Sequence, residues 1–94
     1  MIKSFQYRET EKLFITGKSR KFPPAIIKTS IRKLDYINAV NNILDLRIPP
    51  GNKLEMLKGN LKGKYCIRIN DQYRIIFRFE KSNAFDVQII DYHK

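Results

Sequence analysis

The spacing of the apolar residues changes once along this chain, and that change limits the folds it can adopt. Before the break at residues 49–52 (Pro-Pro-Gly-Asn), apolar residues recur at steps of three or four, which predicts one face of a helix about 20 residues long. After the break, apolar and polar residues alternate, which predicts half-buried strands. The two spacings together predict an α+β fold, with helices on one face of a small curved antiparallel sheet. The helical stripe consists of Ile27, Ile31, Leu34, Ile37, Val40 and Leu44.

The sequence pattern before this helix predicts two shorter elements. Residues 2–7 alternate enough for a first strand, and Thr10 is a candidate N-cap for a short helix that ends at Gly17. Pro23 and Pro24 suit the start of the long helix, because proline is tolerated in a first helical turn. The polar face of the long helix is expected to carry Lys28, Arg32, Lys33 and Asn38.

Three strands are predicted after the break, joined by turns at residues 70–72 and 81–83. Their apolar faces are expected to pack on the helices, with five aromatic side chains in the core: Tyr65, Tyr73, Phe77, Phe79 and Phe85. Side chains of a strand alternate between its two faces, so a second, uncovered face is expected. That face combines Arg68, Arg74, Arg78, Gln88 and Tyr92 with Ile76 and Ile90.

The balance of charges indicates the class of partner. The chain has 94 residues and a formal net charge of +10, which predicts one domain of residues 1–94 and a polyanionic partner. No apolar run is long enough for a membrane span and no signal peptide is evident, so we expect a cytoplasmic protein. One cysteine and one histidine argue against a disulfide or a structural metal site. The apolar surroundings of Cys66 predict a buried, inert thiol.

Two basic groups are candidates for binding a polyanion. The lysine loop (residues 58–64) lacks the spacing of a phosphate-binding P-loop, so it is either a flexible phosphate contact or only a solvated turn. The strand arginines either bind the polyanion or only discourage aggregation at the sheet edge. The predicted RNA contacts from these groups are Lys62, Lys64, Arg68 and Arg78.

Acid–base groups occur at the end of the chain. Asp91, Tyr92 and His93 follow the last predicted strand. Histidine titrates near neutral pH, tyrosine can donate a proton and aspartate can orient either side chain, which suits chemistry on a phosphodiester. Glu55 is a further carboxylate just before the lysine loop, although an exposed surface charge is the simpler explanation from one sequence.

Four segments resemble, in order, a HigB-type toxin of the RelE/ParE superfamily. They are residues 1–5 (Met-Ile-Lys-Ser-Phe), 54–59 (Leu-Glu-Met-Leu-Lys-Gly), 67–75 (Ile-Arg-Ile-Asn-Asp-Gln-Tyr-Arg-Ile) and 91–93 (Asp-Tyr-His). The resemblance implies a RelE-like helix pair on an antiparallel sheet, and a small toxin encoded beside a HigA-like helix-turn-helix antitoxin. It also implies a ribosome-dependent endonuclease that cuts mRNA in the ribosomal A site. We expect no cofactor and no metal, because the 2′-OH of the message is an internal nucleophile and the site supplies its own cations.

The resemblance also assigns roles to individual residues. Arg74 matches the family arginine that steadies the scissile phosphate, and Lys58 matches a basic residue near the mRNA backbone. Glu55 departs from well-studied HigB toxins, which carry histidine at this position, so either Glu55 or His93 is the expected general base. The catalytic set implied in this way is Glu55, Lys58, Arg74, Asp91, Tyr92 and His93.

Two other functions are compatible with the same features. A ParE-like toxin of this fold would inhibit DNA gyrase without cutting RNA, and it would not need the acid–base groups at residues 91–93. A non-toxic basic module that binds RNA or the ribosome would account for the charge equally well, because charge reports affinity for polyanions and not chemistry.

Overall fold

Two helices precede a four-stranded sheet in the computed structural model, which describes residues 1–92. The strands are antiparallel and lie in the order β1-β2-β3-β4, so the predicted α+β fold is confirmed. Within the described residues, no helix has the length and apolar character needed to cross a membrane. The elements are α1 (Arg8–Thr16), α2 (Pro24–Ala39), β1 (Glu55–Met56), β2 (Lys64–Arg68), β3 (Tyr73–Glu80) and β4 (Asn83–Asp91).

Helix α1 ends as predicted but begins earlier. Gly17 adopts the left-handed conformation (φ 73°) and donates its N–H to the Leu13 carbonyl. Thr10 is not the N-cap, since the helix begins at Arg8 after Tyr7. Thr10 instead lies fully buried within the helix, where its Oγ1 accepts a hydrogen bond from the Ile89 N–H at 3.3 Å. It therefore joins α1 to β4.

Helix α2 begins at Pro24, as predicted, but is shorter than predicted. It has 16 residues, and the backbone becomes extended at Val40. The Asn42 side chain then accepts a hydrogen bond from the Leu44 N–H and starts a separate 3-10 turn, so the assignment of Leu44 to the helical stripe was wrong. Leu44 is 51% exposed. The prediction for Lys33 was also wrong, because this side chain is buried and its Nζ donates to the Arg68 carbonyl.

Residues 2–7 do not form the predicted full strand. Two isolated parallel bridges, Ile2–Ala84 and Phe5–Val87, join this segment to β4. The N–H groups of Lys3 and Gln6 donate to carbonyls of β4 at 2.8 and 2.9 Å. The segment therefore covers backbone groups at the outer edge of β4 that would otherwise be open to another strand.

The main core lies between the helices and one face of the sheet. Phe77 is buried there, and Tyr65, Tyr73 and Phe79 pack against it, so four of the five predicted core aromatics are confirmed. Phe85 was wrongly predicted, because β4 contains a bulge. The ladder shifts between Ile76–Gln88 and Arg78–Phe85, and the extra residue reverses the alternation. Ala84 fills the core position instead.

The opposite face of the sheet is less open than predicted. A second apolar cluster lies on it, formed by buried Leu57, Cys66 and Ile76, with Leu61 and Ile90 packed against them. The segment that follows β1 supplies the two leucines, so this segment covers part of the face. Strand β1 itself has only two residues and was not predicted.

Candidate functional site

The predicted basic residues share one side of the sheet, opposite the helices, which we call the site face. Residues directly opposite each other on neighbouring strands project from the same side. Cys66 and Ile76 lie in the second apolar cluster, so the row that contains them belongs to this side. The rows two residues away along β2 and β3 project from the same side, because side chains alternate along a strand. Three rows cross the strands: Lys64, Arg78 and Phe85; Glu55, Cys66, Ile76 and Gln88; Arg68, Arg74 and Ile90.

Arg74 and Tyr92 are in direct contact. The Arg74 guanidinium carbon lies 5.3 Å from the centre of the Tyr92 ring, which is a cation–π distance. Nη1 of Arg74 donates to the carbonyls of Asn70 and Tyr73. These contacts hold the guanidinium at the end of β3, beside a tyrosine that is 38% exposed. A cation and a phenol are therefore brought together where solvent can reach them.

The turn between β2 and β3 organises this pair. The Asn70 side-chain oxygen accepts hydrogen bonds from the N–H groups of Gln72 (2.8 Å) and Tyr73 (2.7 Å) and so closes the turn. The Gln72 carbonyl accepts from the Tyr92 N–H at 2.6 Å. Gln72 Nε2 also donates to Asp91 at 3.0 Å. The turn thus fixes both Arg74 and the backbone that carries Tyr92.

Asp91 lies on the other side of the sheet from Arg74. It pairs with Tyr73, which packs toward the helices, and it lines a cavity there with Tyr7, Lys21 and Phe22. Gln72 connects Asp91 to the Arg74–Tyr92 pair, because its side chain donates to Asp91 and its carbonyl accepts from the Tyr92 N–H. His93 lies outside the described residues. Its role and that of Asp91 stay predictions.

Glu55 and Arg74 approach the same buried thiol. Glu55 is exposed on β1 and lies directly opposite Cys66. The pKa of Cys66 is raised to about 11: burial is the largest cause, the Glu55 carboxylate adds to the rise, and Arg74 opposes it. Both charged groups therefore act on one sulfur atom from different strands. The thiol itself is 1% exposed, which confirms the predicted burial of Cys66.

The lysine loop borders the site face. Leu57 and Leu61 anchor this segment to the second apolar cluster, while Lys58 and Lys62 are exposed. Lys64 is half-buried in β2, directly opposite Arg78. The loop therefore combines an apolar attachment with freely accessible ammonium groups.

The strand arginines differ in their ion pairs. Arg68 pairs with Asp71. Arg78 pairs with Glu80 at 2.7 Å and with Asp86 at 3.5 Å, and its guanidinium carbon lies 4.5 Å from the Phe85 ring centre. Among residues 1–92, no carboxylate lies within salt-bridge distance of Arg74. The charge of Arg74 is therefore the most available of the three to an incoming anion.

The sequence did not reveal the parts of the site that position other residues. Asn70 and Gln72 were read only as turn residues, although asparagine in a predicted turn is a recognisable signal for side-chain closure. The contact of Phe85 with Arg78 depends on the bulge in β4, which the alternation of apolar and polar residues in the sequence does not reveal. No metal-ligand group of three His, Cys, Asp or Glu side chains occurs among the described residues.

Known proteins resemble this chain over nearly its whole length. The family model of the RelE-like toxin of type II toxin-antitoxin system HigB matches residues 3–93. Toxin HigB-1 of Vibrio cholerae is 39% identical over 95 residues, covering 100% of this chain and 99% of the relative. Endoribonuclease HigB of Proteus vulgaris is 30% identical over 93 residues, covering 99% and 100%.

Solved structures show the same fold at low sequence identity. YafQ from E. coli strain BL21(DE3) aligns with a TM-score of 0.64 at 14% identity, covering 97% of this chain and 91% of YafQ. The toxin–antitoxin complex YoeB-YefM from Staphylococcus aureus contains a chain that aligns with a TM-score of 0.57 at 16% identity, covering 100% and 99%. The solved structures show the fold alone, whereas the sequence matches also show the family. This chain belongs to the HigB-like family of RelE-like toxins of type II toxin–antitoxin systems.

Proposed function

We propose that this toxin is a ribosome-dependent endoribonuclease that cleaves mRNA and so stops translation. The observation that carries the proposal is the Arg74–Tyr92 contact of 5.3 Å on the site face, beside the lysine loop. An arginine that has no carboxylate partner among residues 1–92 is suited to a phosphate, and the adjacent phenol can transfer a proton. The name of the Proteus vulgaris relative, Endoribonuclease HigB, supports the same activity here.

The proposed reaction is an attack within the message. The ribose 2′-OH attacks the adjacent phosphorus, and Glu55 or His93 accepts the hydroxyl proton. The bond from phosphorus to the 5′-oxygen breaks, and Tyr92 or His93 protonates that oxygen. The products are a 2′,3′-cyclic phosphate and a free 5′-OH. Arg74 and Lys58 stabilise the charge that grows on the phosphoryl oxygens, while Asp91 orients a neighbouring acid–base group.

The proposed mechanism uses no metal or cofactor, because the nucleophile belongs to the substrate and the side chains supply the proton transfers. Cleavage is therefore expected to continue when phenanthroline removes transition metals, at Mg²⁺ levels that keep ribosomes intact. Loss of cleavage under these conditions would contradict metal-independent chemistry.

We further propose a HigA-like helix-turn-helix antitoxin with an acidic binding segment, and cytoplasmic action. A chain with a net charge of +10 associates rapidly with an acidic partner. Toxin–antitoxin complexes of this fold, YoeB-YefM from Staphylococcus aureus and RelBE2 from Mycobacterium tuberculosis, support a protein partner of this kind.

The test of the proposed function maps mRNA 5′ ends after brief induction of the toxin. The wild type should create clustered new ends in frame with codons. Arg74→Ala should lower cleavage by about 100–1000-fold, as loss of one electrostatic donor typically does. It should keep its fold and its antitoxin complex. Tyr92→Phe and His93→Ala should also lose the new ends, while Lys28→Ala, an exposed cation on α2, serves as the control.

Other outcomes identify the alternatives. DNA breaks with an SOS response and intact mRNA would indicate a gyrase inhibitor. Harmless overexpression would indicate a binding module without toxicity. Full toxicity of Arg74→Ala would refute the role assigned to Arg74.

A further inference from the structure

Lys33 is a buried cation that no carboxylate of the described residues pairs with. Its side chain is 5% exposed on α2, and no salt bridge to it occurs among residues 1–92. Burial lowers the pKa of its ammonium group, and the charges of Arg32 and Arg68 lower it further. An apolar residue would fill such a position at less cost in free energy. Its Nζ donates a hydrogen bond to the Arg68 carbonyl.

The Arg68 carbonyl needs this donor because neither neighbouring strand supplies one. The Ile69 N–H donates to the Tyr73 carbonyl at 3.0 Å, and successive pairs in an antiparallel ladder alternate between bonded and non-bonded. The adjacent pair, Arg68–Arg74, is therefore non-bonded, and the Arg68 carbonyl points away from β3. The carbonyl points toward the edge of β2 that pairs with β1, but this pairing extends only to Cys66 and does not reach Arg68.

The end of β2 that Lys33 holds is the base of the turn that organises the site. The chain runs from Arg68 into residues 69–72, and the Asn70 carbonyl accepts a hydrogen bond from the Arg74 guanidinium. The Gln72 carbonyl in the same turn accepts the Tyr92 N–H. A displacement of Arg68 would therefore move both members of the Arg74–Tyr92 pair.

We propose that Lys33 is a positioning residue for RNA cleavage: it holds the end of β2 from the helix layer and thereby fixes Arg74 and Tyr92 on the site face. This inference rests on the proposed function. Lys33 is buried on the helix side of the sheet, so it does not touch RNA. Its contribution belongs to the rate of the chemical step and not to the affinity for the substrate.

The first test compares Lys33→Met with Lys28→Met in cleavage of mRNA on purified ribosomes. Methionine keeps most of the side-chain length and removes the donor, while Lys28 is an exposed lysine on the same helix whose loss changes the net charge equally. Lys33→Met should lower the maximal rate about 10-fold or more, because small misplacements of reacting groups are costly. The ribosome concentration at half-maximal rate should stay unchanged. Lys28→Met should cleave at the wild-type maximal rate.

A double-mutant cycle with Arg74→Ala tests whether Lys33 acts through Arg74. Single-turnover measurements over hours give the residual rates. The combined loss in the double variant should be smaller than the product of the two single losses, because one of the two positioned groups is then missing. If the two effects add, or if Lys33→Met cleaves like the wild type, the inference is overturned. If instead Arg74→Ala itself cleaves at the wild-type rate, the proposed function has failed at its own central residue.

A second pair of variants covers the case in which Lys33→Met does not fold, as judged by circular dichroism. Asn70 closes the other end of the same turn through two N–H groups. Asn70→Ala should lower the maximal rate, and Asn70→Ser should restore part of it, because serine keeps an acceptor oxygen that such turns can use. Wild-type cleavage by Asn70→Ala would show that this turn does not position Arg74.

Discussion

Arg74 differs from the neighbouring strand arginines in what its guanidinium contacts. Arg68 and Arg78 face the same side of the sheet but are already paired with carboxylates of the chain. Arg74 is held by two backbone carbonyls and the Tyr92 ring, which orient it without cancelling its charge. The alternation of the sequence predicts that all three share a face. It does not predict which one is available, because that depends on where the acidic residues of the turns and the bulge come to lie.

Cys66 provides a prediction at this scale. Its pKa of about 11, against an ordinary value of 9.0, means that roughly 100-fold less thiolate is present at pH 8 than in the unfolded chain. Reaction with a disulfide reagent such as DTNB should therefore be at least about 100-fold slower in the native protein than in guanidinium chloride. Because the pKa is raised, the native rate should continue to increase with pH up to about 11.

Stopped-flow absorbance at 412 nm measures the release of the reagent's chromophore in both states. The unfolded protein at the same pH is the matched control, since Cys66 is the sole cysteine of the chain. Equal rates in the two states would mean that the thiol is open to solvent, in conflict with its packing against Leu57 and Ile76.

At the scale of elements, the sequence predicts helices and strands well where one period persists. The stripe from Ile27 to Ile37 and the alternation of β3 both correspond to real elements. The failures occur where a local hydrogen bond or an extra residue interrupts the period. Asn42 starts a new turn before Leu44, and the bulge in β4 moves Phe85 to the site face. Strand β1 is too short to show any period at all.

The turn between β3 and β4 gives a prediction about stability at the scale of elements. Lys81 and Ser82 both have positive φ, at 49° and 66°, which is the conformation of a type I′ hairpin turn. Asn-Gly is the preferred pair for this turn, because neither residue is strained there as lysine and serine are. The double substitution Lys81→Asn and Ser82→Gly should therefore stabilise the protein by about 1 kcal/mol. For a domain of this size, that raises the melting temperature by about 4–8 °C.

Differential scanning calorimetry of the antitoxin-free protein measures this change. Ser82→Ala is the control, because alanine keeps the Cβ and therefore the strain. An equal gain in Ser82→Ala, or no gain in the double variant, would contradict the assigned turn. The site lies at the other end of β3, so the cleavage rate should remain at the wild-type value.

For the whole molecule, the net charge of +10 predicts a polyanionic partner, but not where it binds. The fold distributes this charge unevenly over the site face. Lys58 and Lys62 are exposed on the lysine loop, whereas Arg78 is paired with Glu80 and Asp86. Such pairing depends on contacts between strands that composition cannot reveal. The sequence thus predicts the class of partner, and the structure shows which cations are exposed and which are paired with carboxylates of the chain.

This distribution predicts how binding to ribosomes depends on salt. Each lysine that contacts a phosphate releases counterions, so its removal should lower the magnitude of the slope of log K against log salt concentration by about 1. Lys58→Ala and Lys62→Ala should each do so, because their ammonium groups are exposed beside the site. Arg78→Gln should leave the slope unchanged, since its guanidinium is already neutralised by Glu80 and Asp86.

Fluorescence anisotropy between about 50 and 200 mM salt gives these slopes, in a Tyr92→Phe background that is expected to bind the message without cutting it. Lys3→Ala, an exposed cation at the edge of β4, controls for the loss of one charge far from the loop. A fall in slope for Arg78→Gln equal to that for the lysines would mean that Arg78 exchanges its carboxylates for phosphates on binding. Equal effects of Lys3→Ala and Lys62→Ala would mean that the toxin binds through its overall charge, with no contribution special to the lysine loop.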